Sequence, residues 1–279
     1  MPRFILCVGA GVAVGGALYL YALRQRKRTL RFWTSKFCPY AQRVAIALAE
    51  NALPHEVRMI DLSAKPEEFV SLYKSACPEP DAKPQVPLIE INAGEREGRV
   101  MVSSLDICEY LLTKEGAADD GRSPVQRESA RRFASSFQKE LSGAAWVPIL
   151  LTEPGSDQEC GALEKLRARL RAVDALLQES EASGPFLLGN DFSIAEIASA
   201  PFALRLAKVL PALRPTILPD AIMATEGLTR LREWFAAVCA RPSCAQSLPP
   251  VAEVAADYSA MIEAHTKAMK AKAAEAAKP

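Results

Sequence analysis

The chain has 279 residues, enough for about two domains, and its 34 basic and 33 acidic side chains give a net charge of +1. This balance excludes the strong positive field that draws proteins onto nucleic acid, so no nucleic-acid partner is expected. The seven cysteines are scattered without a Cys-x-x-Cys pair, and there are only two histidines. That pattern argues against a structural zinc site and favours reduced thiols.

The first segment, residues 4–23, is an unbroken run of apolar and small residues, and four basic residues follow it between positions 24 and 28. A helix needs about 20 apolar residues to cross a bilayer, and a basic flank tends to stay in the cytosol. We predict that residues 1–28 are a single-pass anchor in the endoplasmic reticulum or outer mitochondrial membrane, with the following domain in the cytosol. A cleavable signal peptide is the alternative, but its charge would lie in front of its apolar core.

Residues 29–113 alternate between strand and helix patterns. Strands are predicted at 30–34, 55–62, 86–91 and 99–102, and helices at 39–50, 66–75 and from 104 onward. In the second strand apolar residues alternate with polar ones. The order βαβαββα requires a parallel pair joined by a crossover helix and ends in an antiparallel hairpin. A Pro-rich loop, 76–85, precedes the third strand.

The remainder of the chain has helical periodicity. A polar segment, 114–124, is predicted as a linker, 125–248 as an all-helical domain, and 249–279 as an Ala- and Lys-rich helical tail in solvent. The sequence Ser193-Ile194-Ala195-Glu196 predicts a helix start with a capping box. Phe133, Phe137 and Trp146 are candidates to line a pocket, although a place in the helical core is the simpler interpretation for all three.

Cys38 is the residue with the most distinctive chemistry. It follows a predicted strand and stands directly before Pro39, which fits the first turn of a helix. A sulfur in that position faces unpaired backbone N–H groups and the positive end of the helix dipole, and both favour the thiolate. The pattern therefore predicts a nucleophilic cysteine. The alternative is a small buried packing residue.

The stretch F-C-P-Y-A-Q-R-V at 37–44 resembles the signature of the omega-class glutathione transferases, which carry a cysteine nucleophile. The likeness extends over residues 29–248 and includes G-N-D-F-S-I-A-E-I at 189–197. It implies a thioredoxin-like domain followed by an all-helical domain, with glutathione as co-substrate.

The resemblance implies roles for several residues. Cys38 would form a mixed disulfide with glutathione, and Tyr40 of the same motif is expected among the glutathione-binding residues. Lys65 would meet the glycine carboxylate of glutathione, a sound pairing of cation and anion. Val86 and Pro87 would form a cis peptide whose backbone holds the cysteinyl unit, in the manner of an extended peptide on a strand edge.

Ser103 and Ser104 stand where the family has an acidic residue and then a serine. Ser104 retains a hydroxyl at a helix N-terminus, which can hold a carboxylate or act as a plain N-cap. Ser103 has no carboxylate for the amino group of glutathione. Losing that charged hydrogen bond would weaken binding by about 1.5–3 kcal/mol.

The leading functional hypothesis is a glutathione-dependent thiol transferase or reductase. Ala41 occupies the position of a second active-site cysteine, so the chemistry is expected to be monothiol, with a disulfide or dehydroascorbate as acceptor. Conjugation of glutathione to small electrophiles is one alternative. A non-enzymatic protein of this fold, such as an intracellular chloride channel protein, is another. A homodimer is an expectation from the family.

Overall fold

The structure, a computed structural model, describes residues 29–276 apart from 78, 80, 95–97 and 114–120. The predicted membrane anchor and most of the predicted linker lie outside the described residues. In the part of the chain that is described, no helix combines the length and the apolar character that crossing a membrane requires.

The first half of the chain is built on a four-stranded sheet with the order β2-β1-β3-β4. The central pair of strands, β1 and β3, is antiparallel, β1 pairs with β2 in parallel, and β3 pairs with β4 antiparallel. The thioredoxin-like arrangement predicted from the sequence is therefore confirmed. The strands are β1 (Leu30–Thr34), β2 (Glu56–Met59), β3 (Leu88–Ile91) and β4 (Arg99–Val102), and the helices are α1 (Pro39–Glu50), α2 (Glu67–Ala76) and α3 (Ser104–Leu112).

Strand β2 is shorter than the predicted 55–62, and all four of its residues are exposed. Val57 and Met59 are 51% and 59% exposed, so the apolar alternation does not mark a buried face. These side chains are exposed because β2 lies at the edge of the sheet and pairs only with β1. The third strand also begins later than predicted, at Leu88, after the peptide bond between Val86 and Pro87.

The second half of the chain is helical, as predicted. Its elements are α4 (Pro124–Leu141), α5 (Gly143–Leu150), α6 (Asp157–Gln178), α7 (Ile194–Leu204), a π-helical turn (Arg205–Val209), α8 (Leu210–Leu213), α9 (Pro219–Thr225), α10 (Thr229–Ala240), α11 (Pro242–Ser247) and α12 (Val251–Ala276). The predicted capping box at Ser193 and Glu196 is present at the start of α7. Helix α5 has no counterpart in the prediction, because Gly143 and Pro148 weaken its helical pattern.

Helix α1 lies at the centre of the molecule, since it packs against α3 in its own half and against α7 of the helical half. Its buried residues include Val44, Ile46 and Leu48. They belong to one continuous apolar core that extends through both halves. The N-terminus of α1, where Cys38 stands, is therefore held by both halves of the chain.

The C-terminal helix α12 differs from the prediction of a solvated tail in its first turns. Val254 is fully buried, Tyr258 is half-buried against Trp146, and Glu253 forms an ion pair with Lys36 in the loop before Cys38. From residue 263 to residue 272 every side chain is exposed, which agrees with the prediction. The sequence missed the docked portion because Val254 and Tyr258 are too few to establish an apolar stripe.

Candidate active site

Cys38 is the N-cap residue of helix α1, and Pro39 is the first helical residue. Its thiol is partly buried and makes no capping hydrogen bond. The sulfur lies 3.9 Å from the carbonyl oxygen of Val86. The prediction that Cys38 lies where a strand leads into a helix is therefore confirmed. The N-terminus of this helix is directed towards the same space as the sulfur.

Val86 and Pro87 precede strand β3, and the peptide bond between them is cis, as the resemblance implies. Val86 is nearly buried, so it presents mainly its backbone to the site. An extended peptide can pair with such a backbone edge, and the nearby sulfur then lies within reach of a bound cysteinyl residue.

Ser103 and Ser104 begin helix α3, and one of the two interpretations of Ser104 is wrong. Ser103 is the N-cap, with φ at +74°, and Ser104 is the first helical residue. The interpretation of Ser104 as the N-cap is therefore wrong, because regular helical winding starts one residue earlier than assumed. Ser104 is buried, and its Oγ accepts a hydrogen bond from Nη1 of Arg43 at 3.1 Å.

A cavity of about 800 Å³ brings together five of the seven predicted site residues, which are Tyr40, Val86, Pro87, Ser103 and Ser104. That volume is sufficient for a small peptide or a drug-sized ligand. The opposite wall comes from the end of α2 and the loop after it, with β4 and α3 at the side; its polar members include Tyr73, Cys77, Lys83, Arg99 and Asp106.

Two predicted residues are not part of the cavity lining. Cys38 borders it through the contact of its sulfur with Val86. Lys65 lies in the loop before α2, next to the N-cap Pro66. The contact of Lys65 with a ligand carboxylate therefore stays a prediction. Two other cations, Lys83 and Arg99, do line the cavity.

Arg43 is a site residue that sequence reasoning missed. Its side chain is 1% exposed, and its three donor nitrogens reach the carbonyl of Ala198 at 2.7 Å, Ser104 Oγ at 3.1 Å and Gln138 Oε1 at 2.7 Å. The guanidinium also lies 5.1 Å from the ring centre of Tyr40. Burial lowers the pKa of Arg43 to about 10. The available signal was a charged residue at the start of an apolar helical stretch.

Arg205 and Tyr258 approach Cys38 from the helical half and were also missed. Arg205 is 1% exposed and donates to the carbonyl of Phe37, the residue before Cys38, at 2.9 Å. Tyr258 projects from α12 and lies within electrostatic range of both Arg205 and Cys38. The signals were a single arginine inside an apolar stretch and a lone aromatic residue in an Ala- and Lys-rich helix.

These features together define a thiol at a helix N-terminus, beside a backbone edge that can pair with a peptide. The adjoining cavity offers serine hydroxyls, two cations and the N-terminus of a second helix. The arrangement fits a small peptide with carboxylate groups and a sulfur of its own.

Known proteins are similar to this chain in sequence and in fold. Residues 37–114 match the family described as glutathione S-transferase, N-terminal domain, and residues 128–237 match the glutathione S-transferase, C-terminal domain. The rice (Oryza sativa subsp. indica) protein IN2-1 homolog B is 31% identical over 183 residues, which are 63% of this chain and 65% of the relative. The chain thus spans slightly less than two thirds of that relative's length.

Two further proteins extend the comparison. Glutathione S-transferase DHAR2 of Arabidopsis thaliana is 26% identical over 206 residues, covering 74% of this chain and 81% of the relative. The crystal structure of glutathione transferase Omega 1C from Trametes versicolor superposes with a TM-score of 0.63 at 26% identity, over 85% of this chain and 97% of that one. With both domain models matched in order on the observed fold, the chain belongs to the glutathione S-transferase superfamily and has omega-like and DHAR-like relatives.

Proposed function

We propose that the protein is a glutathione-dependent thiol transferase or reductase that works through the single thiol of Cys38. The observation that carries the proposal is the position of this sulfur, at the N-terminus of α1 and 3.9 Å from the carbonyl of Val86. A glutathione molecule that pairs with Val86 and reaches Ser103 and Ser104 places its own sulfur beside Cys38.

The reaction has two thiol–disulfide exchanges. The Cys38 thiolate attacks the glutathionyl sulfur of a mixed disulfide; the Cys38–glutathione bond forms, the old sulfur–sulfur bond breaks, and the acceptor leaves as a thiolate that takes up a proton. A second glutathione, as thiolate, then attacks the glutathionyl sulfur and expels the Cys38 thiolate. The products are the reduced acceptor and oxidised glutathione.

Glutathione has to serve as the resolving thiol because Ala41 stands in the position of a second active-site cysteine. The acceptor class is a glutathione mixed disulfide or an oxidised small molecule such as dehydroascorbate. With dehydroascorbate the first exchange is replaced: the Cys38 thiolate adds to a carbonyl carbon, and a glutathione thiolate then attacks the Cys38 sulfur, which forms the Cys38–glutathione disulfide, breaks the carbon–sulfur bond and releases ascorbate. The likeness to the Arabidopsis DHAR2 protein and to the Trametes omega transferase supports this choice.

Mass spectrometry after incubation with oxidised glutathione tests the proposal. We expect one glutathionyl group on Cys38, removed by added glutathione. Cys160→Ser is a matched control, because Cys160 is an exposed thiol on helix α6. An adduct that persists in Cys38→Ser, or no adduct on Cys38 in the native chain, contradicts the proposal.

Attachment to a membrane through residues 4–23 is part of the proposal, with the transferase domain in the cytosol at the endoplasmic reticulum or the outer mitochondrial membrane. Its support is the length of the uncharged run and the basic flank after it. Alkaline extraction should leave the full chain with the membranes and release a chain that starts at residue 29. An N-terminus mapped within or just after the run would instead identify a cleaved signal peptide.

The family expectation of a homodimer remains a prediction and belongs to the same proposal. Sedimentation equilibrium of residues 29–279 measures it directly. A mass of twice the chain is expected, and a monomer at micromolar concentration would contradict it.

A further inference from the structure

Arg205 is a buried cation that forms no ion pair among the described residues. Its Nη1 donates to Gln42 Oε1 at 2.5 Å and to the carbonyl of Pro201 at 2.9 Å, and its Nη2 donates to the carbonyl of Phe37 at 2.9 Å. Its Nε is buried with no hydrogen-bond partner. All of these acceptors are neutral, and a buried charge is costly unless an opposite charge balances it.

The chain departs from regular α-helical winding where it carries Arg205. Helix α7 ends at Leu204, and Arg205 is the first residue of the π-helical turn. Such turns are rare and occur frequently at functional sites. Here the turn directs a long side chain from the helical half into the loop that ends at Cys38, since Phe37 accepts its hydrogen bond.

Among the described residues, the charged and titratable groups that interact with the sulfur include Arg43 from α1, Arg205 from the π-helical turn and Tyr258 from α12. Asp257, also on α12, interacts with Arg205 and with Tyr258. Burial lowers the pKa of Arg205, and burial raises the pKa of Tyr258 despite its cationic neighbour. The tyrosine therefore stays neutral near pH 7 and does not neutralise Arg205.

We propose that Arg205 is a positioning residue for Cys38, the buried counter-charge that the helical half supplies to the thiolate. This inference rests on the proposed function, in which negative charge appears on the Cys38 sulfur before the first exchange and after the second. The hydrogen bond to Phe37 fixes the loop. Tyr258, whose ring centre lies 4.9 Å from that of Trp146, neighbours the guanidinium on the α12 side. An opposite charge in such a place favours the ionised form of a neighbouring group.

The test measures the rate at which iodoacetamide alkylates Cys38 as a function of pH, in the absence of glutathione. Arg205→Gln keeps hydrogen-bonding capacity but removes the charge, and Arg205→Lys keeps the charge. We expect Arg205→Gln to slow alkylation at pH 7 by about tenfold or more and to move the profile to higher pH, with Arg205→Lys much closer to the native chain. Arg232→Gln, at an exposed arginine of α10, is the matched control.

Equal slowing in both Arg205 variants would assign the residue a purely structural role and overturn the inference, as would native rates in both. If Arg205→Gln does not fold, Arg205→Lys decides, because a profile within about half a pH unit of the native one supports the counter-charge and a larger shift contradicts it. Loss of the glutathione adduct with an intact effect on alkylation would refute the proposed function while leaving this inference standing.

Discussion

Nη1 of Arg43 lies 3.1 Å from Oγ of Ser104, so a side chain of helix α1 holds the first residue of helix α3. The hydroxyl oxygen accepts from the guanidinium, and its hydrogen is left to donate to a ligand in the cavity. The two helices that present their N-termini to the site are thereby joined beneath it.

Replacing Ser104 with alanine should therefore have two effects. Loss of a hydrogen bond to a charged group should lower the free energy of unfolding by about 1.5–3 kcal/mol. The KM for glutathione should rise because a ligand-facing donor is lost, with a smaller change in kcat. Urea denaturation and steady-state kinetics measure the two quantities, and an unchanged KM would place Ser104 outside the binding site.

Glu196 is expected to be the most sensitive carboxylate for stability. It is fully buried and accepts hydrogen bonds from the backbone of Leu187 and Ser193, the Ser193 hydroxyl and the indole of Trp234. Glu196→Ala leaves these donors unpaired, so the free energy of unfolding should fall by about 3–5 kcal/mol. Ser193→Ala, which removes one cap, should cost about 1 kcal/mol. Equal losses in the two variants would contradict the network.

Glu50 should make stability depend on acidity. Burial alone would raise the pKa of Glu50, but hydrogen bonds from Arg241 and Ser243 outweigh it and hold the pKa below its ordinary value. With the folded pKa below the unfolded one, the stabilisation is present above about pH 4.3 and is lost as the pH falls through the folded value. Glu50→Gln should be less stable than the native chain at pH 7, and the difference should shrink in acid. Glu263→Gln, at an exposed site, should show no such trend.

Cys38→Ser should separate the two glutathione chemistries. Thiol transfer should disappear, because a hydroxyl does not exchange with disulfides, whereas conjugation of glutathione to an electrophilic aryl halide should rise. A cysteine in this position traps glutathione as a disulfide, and a serine leaves its thiol free. An unchanged rate of conjugation in the variant would exclude the alternative function, conjugation of glutathione to small electrophiles.

Because the family resemblance pairs Lys65 with the glycine carboxylate of glutathione, Lys65→Met should raise the KM for glutathione about tenfold with little change in kcat. Lys74→Met, on the last turn of α2, is the control. A larger effect from Lys83→Met would move the carboxylate contact to the cavity-lining lysine and contradict the assignment to Lys65.

Features encoded within a few neighbouring residues could be predicted from the sequence. Pro39 after Cys38 marked the start of α1, and Ser193 with Glu196 marked the start of α7. Features that arise from packing could not. The contact between Arg205 and Gln42 joins residues 163 positions apart, and no local pattern indicates that two helices from different halves will meet there.

The edge position of β2 is a second feature that the local sequence does not predict. The alternation of Val57 and Met59 predicted a strand, and a strand is present, but only the order of the strands in the sheet decides which faces are covered. A period of two identifies the backbone conformation and does not reveal how many neighbours the strand has.

Arg43 reaches from the first half of the chain into the helical half, and Arg205 reaches from the helical half into the first. This exchange affects how the chain can be recombined with its relatives. Of the hydrogen bonds that cross between the halves, Arg43 to Ala198 and Arg205 to Phe37 end on main-chain oxygens, which a foreign partner sequence offers equally well if its backbone follows the same path. A chimera made from one native half and one half of a relative should therefore assemble when each parent contributes its own arginine. A parent that lacks the arginine would leave a main-chain oxygen of the other half without its hydrogen-bond donor.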